Sequence, residues 1–303
     1  MYTDLLVPVV RNVRLRIAMV AVSIAAFAAL PAVGDERAAA EQAAPAGFRV
    51  FYTGHSFHMF VPRLIEQMVK SAHIANHQLV GAQGIGGSMV IQHWNKPEAE
   101  NTAKAALRTG KVDVFTMAAH LAIPDAGIEN FTELGLEHNP KIRLLVQGSW
   151  FPFDVPDFNK RIRDNAERDQ MKIEDLRAAI EPWRVQLEAQ VEALNKKHGR
   201  RAVFIVPVGE AVVRLREMIV AGKFPGITSQ AKLFRDPIGH GNGHVMALTA
   251  YCNYGVIYGR SPAGLNVDER SIDAAQHALL QQIAWDVVSQ YPYAGVVSAK
   301  EAQ

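Results

Sequence analysis

The sequence predicts a three-layer α/β/α protein built on a mostly parallel, five-stranded sheet. Two features carry this reading. Five nearly continuous apolar runs of strand length lie between residues 48 and 207, and stretches with helical spacing separate them. Apolar runs without polar alternation suit strands buried on both faces, as in a parallel sheet covered by helices. Strand–helix alternation then implies right-handed crossovers and a doubly wound sheet, with ligands bound beyond the carboxyl ends of the strands.

The first strand, 48–53, runs directly into Gly54-His55-Ser56-Phe57, and helical spacing follows over 61–75. The second, 78–82, leads into Gly84-Ile85-Gly86-Gly87-Ser88. Helical stretches at 98–109 and 127–137 precede the third and fourth strands, 112–118 and 142–148. A long segment, 164–198, separates the fourth strand from the fifth, 202–207. Its Leu176, Ile180, Trp183, Leu187, Val191 and Leu194 recur at three- and four-residue steps, a packing face or else a docking face for a partner helix. Charges crowd its start: Arg161, Arg163, Asp164, Glu167, Arg168 and Asp169. Residues 271–290 read as a closing amphipathic helix.

At the amino end, Arg11, Arg14 and Arg16 precede the apolar run 17–30, followed by Ala32-Val33-Gly34 and Asp35-Glu36. That order describes a secretory signal peptide over 1–34. The run is shorter than the roughly 20 residues a membrane span needs. The expectation is therefore export to the periplasm or the medium, with no stable membrane insertion after cleavage; an uncleaved membrane anchor is the alternative. An Ala-rich flexible leader over 35–47 and a single domain over 48–303 complete the organisation. The first 34 residues hold three Arg and one Asp, so the remainder is formally neutral against +2 for the whole chain. Neutrality argues against nucleic-acid binding, which goes with a basic excess. The single cysteine, Cys252, excludes an intramolecular disulfide and sits in an apolar stretch that suits packing.

Chemistry-bearing residues gather at the predicted strand ends. Ser56 follows the first strand, and Asp236-Pro237-Ile238-Gly239-His240 lies far downstream. A serine hydroxyl is a poor nucleophile until an imidazole takes its proton, and the imidazole needs a carboxylate to hold its tautomer. His240 fits the base and Asp236 its orienting partner; His244, in His240-Gly241-Asn242-Gly243-His244, is an alternative base. The backbone N–H of Ser56 with that of Gly86 or Gly87 would form an oxyanion hole, since glycine leaves room for close approach. Each residue also has a plainer role. Ser56 suits a helix N-cap, Gly86-Gly87 a tight turn, His55 and His58 loop positions, and His120 a structural histidine. Asp113 suits a cap or an ion pair, and Glu210 a helix first turn or a substrate hydroxyl. Trp94, Trp150, Phe151 and Phe153 follow strand ends, where aromatics stack on sugar rings, cover acyl groups or pack a loop down.

These blocks together resemble the SGNH (GDSL-like) hydrolases, a superfamily of esterases and lipases. Gly54-His55-Ser56-Phe57 resembles the nucleophile block and Gly84–Ser88 the glycine block. Asp236–His240, with Ala247–Tyr251 and Tyr258–Pro262, resembles the Asp/His block, its helix and its ending. The resemblance spans roughly 48–262 and implies a flavodoxin-like α/β/α fold and an exported serine esterase. Its substrate would be a small-molecule or carbohydrate ester, with neither cofactor nor metal. Two departures stand out. The family spaces its Asp and His three apart, and here they are four apart. The family also supplies an oxyanion asparagine after the third strand, where this chain has Thr116-Met117-Ala118-Ala119-His120, so His120 becomes the candidate donor. Those departures leave a non-catalytic carbohydrate-binding protein of the same fold as the alternative. A metal-dependent hydrolase would require His55, His58, His120, His240 and His244 to converge.

Overall fold

The computed structural model describes residues 45–269 and 271–296. The predicted signal segment, and the predicted leader up to residue 44, lie outside the described residues. Five strands form one sheet: β1 (Arg49–Gly54), β2 (Gln78–Gly84), β3 (Val114–Ala118), β4 (Arg143–Gln147) and β5 (Val203–Val206). Their order is β2-β1-β3-β4-β5 and every pairing is parallel. Each strand lies where its apolar run is, within two residues at either end.

Among the described residues eight α-helices cover the sheet: α1 (Val61–Ser71), α2 (Val90–Trp94), α3 (Thr102–Arg108), α4 (Ala126–His138), α5 (Ile173–Lys197), α6 (Val208–Val220), α7 (Gly243–Tyr258) and α8 (Ala274–Gln290). Strand alternation divides the core in two. Val50, Tyr52, Val114, Leu145, Phe204 and Val206 face one layer, packed with α1, α6, α7 and α8. Phe51, Phe115, Met117, Leu144, Val146, Val203 and Ile205 face the other, packed with α3, α4 and α5. The stripe Leu176, Ile180, Trp183, Leu187, Val191 and Leu194 of α5 is buried in this second layer, so it is a packing face of the same chain. Cys252 is fully buried on α7 among apolar neighbours, and burial pushes its thiol well above the usual range, consistent with packing.

The chain moves from β1 outward to β2, then crosses to β3 on the opposite side of β1. That reversal opens a crevice beyond the carboxyl ends of β1 and β3, the place where doubly wound sheets bind ligands. The amino end of the sheet is closed differently. Asp113 accepts from Arg49 Nε and Nη2 at 2.9 and 2.7 Å, and from the Arg49 backbone N–H at 2.8 Å. Its role is therefore an ion pair that locks β1 to β3.

Phe115 sits at the centre of the second layer, with no exposed surface and with ring neighbours Phe51 at 5.6 Å and Phe131 at 5.1 Å. Phe115→Ala is expected to lower unfolding free energy by about 3–5 kcal/mol, read as a lower urea midpoint at unchanged slope. An unchanged midpoint would mean that this layer does not hold the sheet.

Candidate active site

Ser56 lies two residues past β1, on a turn whose His55 carbonyl accepts from the N–H groups of His58 and Met59 at 2.9 and 3.1 Å. Helix α1 begins only at Val61, capped by Phe60 without any side-chain bond, so Ser56 is not its cap. Its side chain is exposed and points at a ring from far downstream. His240 Nε2 lies 2.9 Å from Ser56 Oγ, and His240 Nδ1 lies 2.6 Å from Asp236 Oδ2. The other carboxylate oxygen of Asp236 accepts the N–H groups of Gly239 and His240 at 2.9 and 3.2 Å. Burial works against ionising Asp236, but these bonds and the His240 ring outweigh it and hold the carboxyl below its ordinary value. An ionised Asp236 accepts from Nδ1–H, which leaves Nε2 as the acceptor for the serine hydroxyl.

The Asp236–His240 loop is pinched off by an antiparallel bridge between Phe234 and Gly241. Arg235 N–H donates to the His240 carbonyl at 2.9 Å, and Asn242 N–H to that of Leu233 at 2.9 Å. Phe57 stacks on Trp150 (4.6 Å, 11°) and meets the His240 ring edge-on at 5.5 Å, limiting how far the imidazole can swing. His244 makes no hydrogen bond to Ser56. It is buried at the start of α7, with Nε2 3.2 Å from Gln276 Oε1 and Nδ1 lacking a partner.

Beneath the serine turn runs a buried polar chain that fixes its own proton positions. Gln147 Nε2 donates to the Phe57 carbonyl (2.9 Å) and to Ser149 Oγ (2.8 Å), so its Oε1 is the acceptor facing His58 Nδ1 at 2.8 Å. His58 therefore carries its proton on Nδ1 and accepts from Thr116 Oγ1 at 2.8 Å. Burial lowers the His58 pKa to about 4. A parallel brace holds the glycine loop. Ser88 Oγ donates to the Ile85 carbonyl at 3.0 Å and lies 2.7 Å from His93 Nε2. Burial lowers the His93 pKa to about 4 as well.

Ser56 opens onto a cleft of about 400 Å³ walled by His55, Phe57, Gly87, His120, Leu121, Trp150, Phe151, Pro152, Trp183 and Ile238, among others. The predicted site residues divide accordingly. Gly87, at φ +60° and with open space where a Cβ would stand, lines the cleft, whereas Gly86 is exposed beside it. His120 lines it too. Its carbonyl is held by Trp183 Nε1 at 3.0 Å, and its ring nitrogens make no hydrogen bond among the described residues. His55 lines the wall but is buried and engaged, with Nε2 3.3 Å from the Ala119 carbonyl and Nδ1 accepting from Phe57 N–H at 3.3 Å. Burial drives its pKa to about 3, so it stands as a neutral loop support. Trp150 lines the cleft and also bonds the Gly239 carbonyl at 2.8 Å. Trp94 does not belong to the site: it packs edge-on against Phe131 at 5.1 Å and lies under Lys104 at 4.1 Å. Glu210 is also elsewhere, in the first turn of α6 and 3.5 Å from Arg184. The five histidines do not converge; no group of three His, Cys, Asp or Glu side chains forms a metal-binding set among the described residues.

Several site residues escape sequence reasoning. Leu121, Trp183 and Ile238 line the cleft, and Gln147 and Thr116 brace the turn, yet each reads as ordinary strand, helix or loop composition. For Trp183 the only sequence signal was its place in the apolar stripe of α5.

Comparison with solved structures points the same way as the topology. The chain is similar to a DUF4886 family protein from Bacteroides uniformis, at 15% identity and a TM-score of 0.54, over 84% of this chain and 99% of that one. A candidate SGNH hydrolase from Slackia heliotrinireducens aligns at 15% identity and TM-score 0.42, over 68% and 97% of the two chains. Phospholipase A1 from Streptomyces albidoflavus aligns at 9% and 0.40, over 70% and 100%. The likeness to the DUF4886 family protein bears out the α/β/α fold, a parallel five-stranded sheet with helices on both faces. Identities this low speak of fold alone. No known family pattern matches the chain, and no curated protein does. Ser56, Gly87, His120 and Trp150 stand on the loops after β1, β2, β3 and β4, all at the carboxyl end of the sheet.

The buried neutral imidazoles set a pH dependence. In the unfolded chain His55, His58 and His93 take up protons below about 6.5, while in the fold they resist until about 3 to 4. The unfolded state thus binds more protons in that window, and stability falls as pH drops from 6.5 towards 4. Urea midpoints measured between pH 7 and pH 4.5 are expected to decline, and His58→Gln is expected to reduce the slope. A flat profile would contradict the neutral assignment.

Proposed function

We propose that the protein is a serine esterase that cleaves small acyl esters through an acyl-enzyme, with acetyl esters on carbohydrate as the leading substrate class. The observation that carries this reading is the unbroken Ser56–His240–Asp236 hydrogen-bond relay at the mouth of an apolar cleft. In the reaction, Ser56 Oγ attacks the ester carbonyl as His240 Nε2 takes its proton, and Asp236 stabilises the imidazolium. The developing oxyanion is met by the N–H groups of Ser56 and the Gly86-Gly87 loop and by a ring N–H of His120, which substitutes for the missing asparagine. One such donor is worth roughly 3–4 kcal/mol. His240 then returns its proton to the departing alcohol. Water activated by the same base releases the acid.

The cleft supports a short, uncharged acyl group. Phe57, Leu121, Trp150, Phe151, Pro152, Trp183 and Ile238 supply apolar surface, and no Asp, Glu, Lys or Arg lines the wall. Ser56 itself is exposed, which leaves room for a large alcohol partner outside the cleft. With the basic-then-apolar amino end, the reading is of an enzyme exported to the periplasm or medium, where polysaccharide acetyl esters are accessible.

With p-nitrophenyl acetate, Ser56→Ala and His240→Ala are expected to abolish turnover. Asp236→Asn is expected to lower kcat on the order of 10⁴-fold, as loss of the orienting carboxylate does in triad enzymes. His244→Ala should keep near wild-type kcat. A fluorophosphonate probe should label one serine, located at Ser56 by peptide mapping. Full turnover by Ser56→Ala would end this reading; sugar binding without labelling would favour the non-catalytic alternative. Exchanging His120→Ala is expected to lower kcat by about 10²-fold with little change in KM, and an unchanged kcat would remove it from the oxyanion hole.

A further inference from the structure

The segment between β4 and α5 holds the Asp236–His240 loop by its backbone. Four successive carbonyls of that loop each accept a bond from it. Arg168 Nη1 donates to Asp236 O at 2.9 Å and Arg168 Nη2 to Pro237 O at 2.8 Å. Phe153 N–H donates to Ile238 O at 2.8 Å, and Trp150 Nε1 to Gly239 O at 2.8 Å. No carbonyl between the carboxylate and the imidazole is left to water. Gly239 is enclosed by the same groups: at φ +101°, a Cβ there would stand 3.0 Å from Arg168 Nη2 and 3.4 Å from Trp150 Nε1.

Arg168 is itself built in. Its side chain has no exposed surface and lies 4.6 Å over the Phe234 ring. Asp154 Oδ2 makes ion-pair contact with Arg168 Nε at 3.2 Å and with Arg216 Nη1 at 2.9 Å, at angles that do not form hydrogen bonds. Arg216 Nε donates to Gln230 Oε1 at 2.7 Å, and Gln230 Nε2 donates to the carbonyls of Arg168 and Met171 at 3.0 Å each. Asn165 accepts from Arg168 Nη1 and donates to Phe234 O at 3.0 Å. A guanidinium offers five donors in one rigid plane, so it can span two successive carbonyls while facing a carboxylate; a lysine ammonium, a point charge on a flexible stem, cannot.

We propose that Arg168 is a positioning residue of the catalytic relay, clamping the Asp236–His240 loop so that His240 meets Ser56. The clamp rests on the esterase reading only for its effect on turnover. It answers a specific need: a loop one residue longer than the usual Asp-x-x-His spacing has more ways to turn, and a base misplaced by about 1 Å costs on the order of 10² in rate. Removing Arg168 leaves Asp154 paired with Arg216, so no buried carboxylate is stranded.

The experiment compares wild type, Arg168→Lys and Arg168→Met in two readouts. With p-nitrophenyl acetate, kcat is expected to fall about 10²-fold in Arg168→Met at nearly unchanged KM, with partial recovery in Arg168→Lys. By hydrogen-exchange mass spectrometry, the peptide covering 235–242 is expected to exchange at least tenfold faster in Arg168→Met, with α7 unchanged. A general loss of stability would speed both segments together and leave no recovery by lysine; that result overturns the proposal, as does wild-type kcat or unchanged exchange in Arg168→Met. If Arg168→Met does not accumulate as folded protein, Arg168→Lys, which keeps the buried charge but cannot span both carbonyls, is held to the same exchange criterion. If the wild type hydrolyses no ester and takes no fluorophosphonate, the esterase reading fails, while faster exchange at 235–242 still sustains the clamp.

Discussion

The contact between Ser56 and His240 joins residues 184 positions apart in sequence, and most of the surrounding structure serves to keep it at hydrogen-bond distance. Neither partner gains much from its own segment. The serine stands on an exposed turn, and the histidine on a loop without regular secondary structure. Both are held by buried polar networks beneath them. On the serine side, His58, Gln147 and Thr116 fix the turn. On the histidine side, the 150–168 segment takes up the loop carbonyls one by one.

Buried polar groups of this density are costly unless every member is paired. Here most members are paired, Asp154 Oδ2 and Arg168 Nε meeting as an ion pair without a hydrogen bond, and the His58–Gln147 chain has a single consistent proton arrangement. His58 is neutral because burial outweighs the Gln147 acceptor, and Gln147, donating twice elsewhere, fixes the His58 proton on Nδ1. His55 is neutral because burial outweighs the Ala119 carbonyl. Arg168 and Arg216 share Asp154 and a common aromatic neighbour, Phe234. The packing that results holds the His240 ring against Ser56.

Two loop positions are shaped by close neighbours. His120 lines the cleft wall with its carbonyl tied to Trp183 and no hydrogen bond to its ring nitrogens among the described residues. Gly239 stands at a positive φ, and its lack of a Cβ lets Arg168 and Trp150 close in. Trp150 and Trp183 each do double duty, lining the cleft with their rings and anchoring a neighbouring loop through their indole N–H. Aromatics of this kind combine apolar surface with one directional bond.

The strands were legible because each is buried on both faces and so reads as an unbroken apolar run. Ser56, Asp236 and His240 were legible because few chemistries place those residue types at a strand end and in a late loop. Helices α2, α6 and α7 were less so. Helix α2 is only five residues long, and α7 is buried on nearly every side, which erases the 3.6-residue alternation that periodicity depends on. Arg168 sat in a crowd of charges with no feature to single it out, and Trp94 looked like a cleft aromatic; burial and direction decided both, and neither is a property of local sequence. By itself the sequence determined the order of strand and helix segments and singled out Ser56, Asp236 and His240 as side chains to be brought together. Only tertiary structure decided that His240 rather than His244 faces the serine, because four carbonyl bonds from a distant segment set where the loop points.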